Sequence, residues 1–193
     1  MDAFWLYFTL GYEHVLDWKA YDHVLFFIVL TIPYALNQWK KVLWLVTVFT
    51  IGHTLSLMLS VYDVIQFNSF LIESLILTTI LVTAVFNIFT AGRNTAKNKW
   101  GLMFFTTLFF GLIHGVGFSY YFKQIVAVED NKLLPLLEFA LGIEAAQLIV
   151  AFLVLIVSVI FSSVFRFSKR DWVMVVSAIV VGVVLPMLGE KWL

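Results

Sequence analysis

Four imidazoles in a strongly apolar chain are the side chains with chemistry to offer. His14 and His23 lie in GYEHVLDWKAYDH, His53 in FTIGHTLSL and His114 in FGLIHGVGF, and these are all the histidines of the 193-residue sequence. Each sits in or beside a segment long and apolar enough to enter a bilayer. A charge at the centre of a membrane helix costs roughly 2.5 kcal/mol or more, so ionisable groups kept there are functional candidates. Neutral imidazole and carboxylate are natural ligands for divalent transition metals. Cysteine is absent, which removes disulfides, thiolate ligands and thiol nucleophiles. Any metal must then be held by nitrogen and oxygen, favouring nickel, cobalt or zinc over copper(I). The structural alternative for a single histidine is a hydrogen bond between neighbouring helices.

The elements that must position these residues are membrane helices. Hydrophobic residues make up 62% of the chain and charged residues 12%, against about 45–50% and about 25% in soluble domains. The apolar runs are continuous and about 20 residues long, as helices require, without the alternation of a β-barrel. The expectation is an all-α polytopic bundle forming a single integral membrane domain over 1–193. Six transmembrane helices are expected at about 18–37, 41–61, 70–91, 101–122, 134–163 and 171–189. The stretch Phe4 to Tyr12 is apolar but too short to span, and reads as an interfacial or re-entrant helix. The start of the chain lacks the basic region and small-residue cleavage site of a cleavable signal peptide.

Charge orients the bundle. Lys40, Lys41, Arg93, Lys97, Lys99, Arg166, Lys169 and Arg170 fall between spans one and two, three and four, and five and six; these are eight of the twelve basic residues. The positive-inside rule then puts both termini outside the cytoplasm. The mainly apolar run of the first span, Val24 to Leu36, is only 13 residues, about 20 Å of helix. The helix is therefore expected to reach back to Trp18 and carry Asp22 and His23 into the membrane.

Counting inward from the outer ends at 1.5 Å per residue places His53 and His114 roughly 12 Å deep, Glu144 roughly 15 Å, His23 roughly 8 Å and Glu73 roughly 5 Å. The expected layer lies in the outer half, with only groups such as Thr47, Thr50 and Asn87 beneath it. Thr50, His53 and Ser56 recur at spacings of three, and Ala140, Glu144, Gln147 and Ala151 at four, three and four, so each set shares a helix face. Metal ligands are thus sought among His14, His23, His53, His114, Asp22 and Glu144, with Asp17, Glu73 and Gln147 as supporting or vestibule groups.

Asp22 either orients a histidine or caps the helix that starts there. His14 meets His23 only if the chain bends near Asp17 and Trp18, because nine residues of continuous helix would put them on opposite faces. The pair Gly111 and Gly115 reads as a helix-packing contact, and the aromatic residues read mostly as lipid-facing surface and interface belts.

Taken together, five pieces resemble the HupE/UreJ family of bacterial membrane proteins: G-Y-E-H-V-L-D-W-x-x-Y-D-H-V-L-F at 11–26, F-T-I-G-H-T-L-S-L at 49–57, E-S-L-I at 73–76, F-G-L-I-H-G-V-G-F-S at 110–119 and A-L-G-I-E-A-A-Q at 140–147. The resemblance implies a multi-pass protein of the bacterial inner membrane, acting as a nickel or cobalt permease or an accessory to hydrogenase or urease maturation. It also implies that His14, Asp22, His23, His53, His114, Glu144 and Gln147 stand at the family's characteristic polar positions. Two departures from the pattern are read: no cleavable signal peptide is expected from the first residues given, and Phe86 stands before Asn87, where an acidic residue often stands. Three functions follow as candidates: a divalent-metal permease, an intramembrane zinc hydrolase with an outward-facing site, or a non-catalytic metal store or sensor. Membrane lipid and a metal ion are the expected partners, nucleic acid is not, and homo-oligomerisation stays open.

Overall fold

The computed structural model describes residues 3–17, 21–92 and 100–192. Among them there are seven α-helices and no strands: α1 (Ala3–Leu16), α2 (Asp22–Thr31), α3 (Trp39–Val61), α4 (Ser69–Thr90), α5 (Trp100–Ile125), α6 (Leu133–Val164) and α7 (Lys169–Trp192). The last five are long and apolar enough to cross a membrane. Their exposed faces carry side chains such as Trp44, Phe89, Phe105, Leu141, Leu153 and Ile179, which a hydrocarbon solvent accepts. Helix ends follow local chemistry. The Asn68 side chain accepts from the Phe70 amide at 2.8 Å and caps α4. Asp63, Gly92 and Arg166, at φ 60°, 78° and 56°, turn the chain into the left-handed region just past α3, α4 and α6. Asp63 also accepts from the Lys123 ammonium, which ties the α3–α4 loop to α5 and holds the Asp63 carboxyl below its ordinary range.

The first expected span is different in kind. The helix there runs only from Asp22 to Thr31, about 15 Å, and Trp18, proposed as its start, lies outside the described residues. So do Arg93, Lys97 and Lys99 of the charge argument. Pro33 explains the early stop: it has no amide hydrogen to return to the Val29 carbonyl, so the helical hydrogen bonding ends although Ile32 is still in helical geometry. A short 3-10 turn, Leu36–Gln38, then leads straight into α3. Phe26, Phe27, Val29, Leu30 and Thr31 of α2 are all buried, the mark of a helix enclosed on every side. It packs against α4, α6 and α7.

A helix that stops inside an apolar bundle leaves carbonyls that no water can satisfy. Two side chains from other helices meet this need. Asn87 of α4 donates from Nδ2 to the Val29 carbonyl at 2.6 Å, and Lys169 of α7 donates from Nζ to the Tyr34 carbonyl at 2.5 Å and to Ser158 Oγ at 3.1 Å. Substituting Asn87→Leu strands the Val29 carbonyl and is expected to destabilise the fold by about 1–3 kcal/mol. Thermal unfolding in detergent micelles measures this, and an unchanged midpoint would show that the carbonyl has another partner.

Most of the described aromatic residues are exposed, as expected, Trp5, Trp44, Phe89 and Phe105 among them, but five phenylalanines lie inside. Phe26, Phe27, Phe49, Phe122 and Phe139 are fully buried; they are core packing rather than lipid-facing belt. Phe26 and Phe49 stack with ring centroids 4.9 Å apart, and Phe118 and Phe139 stack at 5.1 Å.

Candidate metal centre

Three close helix contacts bring the histidines together. α3 and α5 pack most extensively of all pairs, because Gly111 and Gly115 let the α3 backbone approach. A Cβ on Gly111 would stand 2.4 Å from the Phe49 carbonyl, and one on Gly115 would stand 2.0 Å from the His53 carbonyl and 2.2 Å from Ser56 Oγ. The packing role read for this glycine pair therefore holds, and it fixes His114 of α5 beside His53 of α3. α1 seats on α6 in the same manner through Gly11 and Gly142. A Cβ at the first would meet the Phe139 carbonyl at 2.1 Å, and one at the second the Phe8 carbonyl at 2.0 Å. Tyr7, Gly11 and Val15 form the buried face of α1 at four-residue spacing, and His14 is delivered next to it. The helix extends two residues beyond His14, further than the Phe4–Tyr12 stretch suggested. Finally, α2 begins at Asp22 and directs His23 into the same space.

The result is a compact imidazole cluster. Ring centroids lie 4.6 Å apart for His14 and His23, 6.0 Å for His14 and His53, 6.0 Å for His23 and His53, and 5.4 Å for His23 and His114. One nitrogen from each of His14, His23 and His53 can be chosen so that all three lie within 4.8 Å of one another. A tetrahedral ion bound at about 2.0–2.1 Å separates its nitrogens by about 3.3 Å, so the widest pair must close by about 1.5 Å at most. Side-chain torsion supplies that. His14 and His23 do meet, as the expected bend requires; Trp18, near which that bend was placed, lies outside the described residues.

Hydrogen bonding leaves these rings available. His23 and His53 have both ring nitrogens buried and without a hydrogen-bond partner, and the Nε2 atoms of His14 and His114 are in the same condition. Leaving a buried polar atom unmade costs about 1–3 kcal/mol, so a cluster of them calls for a ligand. His114 Nδ1 lies 2.8 Å from the Phe110 carbonyl. A carbonyl only accepts, so Nδ1 carries the proton and Nε2 presents its lone pair, the tautomer of a metal-ready histidine. The walls are aromatic: Phe118 lies 3.9 Å from the His14 ring and Phe26 5.2 Å from that of His114, centroid to centroid.

Asp22 resolves one of the open alternatives. Tyr21 is the N-cap residue of α2 and makes no side-chain cap bond, while an Asp22 carboxylate oxygen lies 3.4 Å from His23 Nδ1. That places its charge in the first turn of α2, beside the histidine, where it offsets the positive end of the helix dipole that a bound cation would otherwise face.

The remaining candidates sit elsewhere. Glu144 accepts from Thr47 Oγ1 at 2.5 Å, and Gln147 pairs with Thr50 Oγ1 at 2.9 Å. Thr47 lies six residues before His53, about 9 Å along α3, so the Glu144 carboxylate stands on the side of the cluster facing Lys40 and Lys41. Glu73 is exposed and ion-paired with Lys191 of α7. Asp17 is exposed at the end of α1. The aromatic lining of the cluster was not read from the sequence; the four-residue spacing of Phe118 from His114 was the available signal.

No curated protein and no solved structure matches the chain. A family model described as HupE / UreJ protein matches residues 1–189. With nearly the whole length matched, including every histidine of the cluster, the chain belongs to the HupE/UreJ family.

Proposed function

We propose that this protein carries a divalent transition-metal ion, nickel or cobalt before zinc, across the bacterial inner membrane. His14, His23 and His53 form the site where the ion exchanges water for protein ligands, and His114 is poised to join them. The observation that carries this reading is the set of buried imidazole nitrogens without partners, contributed by four different helices. The nitrogen-only donor set of a cysteine-free chain suits these metals, and the family is linked to nickel and cobalt handling. With the basic end of the bundle inside, both termini and the histidine cluster face outward. The ion enters from that side.

The test uses purified protein in liposomes that enclose a metal-sensing dye. Wild-type protein is expected to admit nickel or cobalt at a rate that His23→Ala lowers at least about 10-fold, a modest demand for a ligand when losing even an outer partner of a metal site costs 10–100-fold. Tight one-to-one metal binding without influx would remove the transport reading.

That second result would favour an intramembrane zinc hydrolase. The specific observation behind this alternative is three histidines with a carboxylate, Asp22, 3.4 Å from one of them. Three protein ligands with an open fourth position, plus a nearby base, is the arrangement of catalytic zinc.

A further inference from the structure

Glu144 is a carboxylate in the middle of a membrane helix, half-buried, with Thr47 as its hydrogen-bond donor. Among the described residues no cation pairs with it. A threonine hydroxyl does not neutralise a charge, and a carboxylate at such depth is costly unless a positive partner is supplied. Beside it, Gln147 is fully buried and its Nε2 has no partner.

The local hydrogen bonds indicate which way that amide faces. As oriented, Thr50 Oγ1 serves both the Val46 carbonyl at 3.2 Å and Gln147 Oε1 at 2.9 Å, although a hydroxyl has a single proton. Oxygen and nitrogen of an amide are assigned from the surrounding network. Turning the amide lets Nε2 donate to Thr50 Oγ1 while Thr50 donates to Val46. Every contact then has one donor, and Oε1 becomes a free, buried acceptor.

We propose that Glu144 and Gln147, braced by Thr47 and Thr50, form a second, oxygen-lined station for a divalent cation between the histidine cluster and the basic end of the bundle. Glu144 and Gln147 share one face of α6, three residues apart. Their partners on α3 step away from His53 by three and six residues, about 4.5 and 9 Å. An ion leaving imidazole nitrogen thus meets amide, hydroxyl and carboxylate oxygen on its way to the basic end. Oxygen ligands hold late first-row divalent ions less tightly than imidazoles do, which suits a station that must release its ion. The proposal rests on the transport reading above.

The same dye-loaded liposomes test it, with equilibrium metal binding measured in parallel. Glu144→Gln keeps the shape and the bond from Thr47 but removes the charge. It is expected to lower the initial influx rate at least about 10-fold, while affinity at the histidine cluster stays within about twofold. Glu144→Asp, which keeps the charge, is expected to retain more influx than Glu144→Gln. Thr47→Val, which leaves the carboxylate and frees its anchor, is expected to give an intermediate rate, and it serves as the test if Glu144→Gln does not fold. Influx through Glu144→Gln equal to wild type would overturn the station and leave the transport reading standing. A loss of equilibrium binding as deep as that of a His53 variant would overturn it too, by assigning Glu144 to the histidine shell. Wild-type protein that binds metal and admits none would overturn both.

Discussion

Replacing His53 with leucine is expected to lower divalent-metal affinity at least about 100-fold, near 2.7 kcal/mol, while leaving the ion-free protein as stable as wild type or more so. The two effects have one cause. His53 is fully buried, and both its ring nitrogens lack partners. In the ion-free protein each is a desolvated polar group that contributes nothing, at a cost of about 1–3 kcal/mol. Leucine removes that cost and fills much of the same volume between Phe49 and the α5 backbone. A ligand held only by a metal is therefore dispensable to the fold and indispensable to binding. Thermal unfolding with and without nickel separates the terms, because an ion that binds only the folded state raises its stability by mass action. The wild-type midpoint should rise on adding metal, and that of His53→Leu should not. A variant that melts well below ion-free wild type would instead mark His53 as a structural hydrogen-bonding residue.

The second large effect comes from a residue that touches no metal. Gly142→Ala places a methyl group 2.0 Å from the Phe8 carbonyl and 2.9 Å from the Tyr12 amide nitrogen. Backbone cannot yield as a flexible side chain does, so α1 must lift from α6. Overpacking of this kind costs about 1–3 kcal/mol, more than the helix propensity gained on replacing glycine by alanine, about 1 kcal/mol. Because α1 carries His14, metal affinity is expected to fall at least about 10-fold, as for loss of a ligand's support. Combined with His14→Ala, Gly142→Ala should bring little further loss, since both act through one imidazole. Calorimetric titration of the two single variants and the double variant completes the cycle. Additive losses would show that α1 contributes to the site by something other than His14.

Much of this was legible in residue types and spacing. The five long helices lie within a few residues of the hydropathy spans, since periodicity and length decide such segments. The polar stripe through Thr50, His53 and Ser56 marked an inward face of α3, and the glycines at 111 and 115 marked the contact of α5 with it. What the sequence left open was the path of the chain before α3. Helical counting from His14 to His23 separates them, yet they stand on two separate helices, α1 and α2, with their rings 4.6 Å apart. The length expected for the first span overlooked Pro33, which ends α2 early and frees the Val29 carbonyl that Asn87 satisfies. Depth counting also put Glu144 level with the histidines. Counting along each axis ignores both helix crossing and the reach of a long side chain, and Glu144 uses that reach to meet Thr47.

Binding of a transition-metal ion by the imidazole cluster is read from X-ray absorption on purified protein given one equivalent of nickel, cobalt or zinc. The expected spectrum shows a first shell containing at least three imidazole nitrogens, at about 2.0–2.1 Å for zinc, and reverts to that of the hydrated ion when His23 and His53 are both replaced. A shell of oxygen alone in the wild-type protein, or an unchanged spectrum in the double variant, would contradict it.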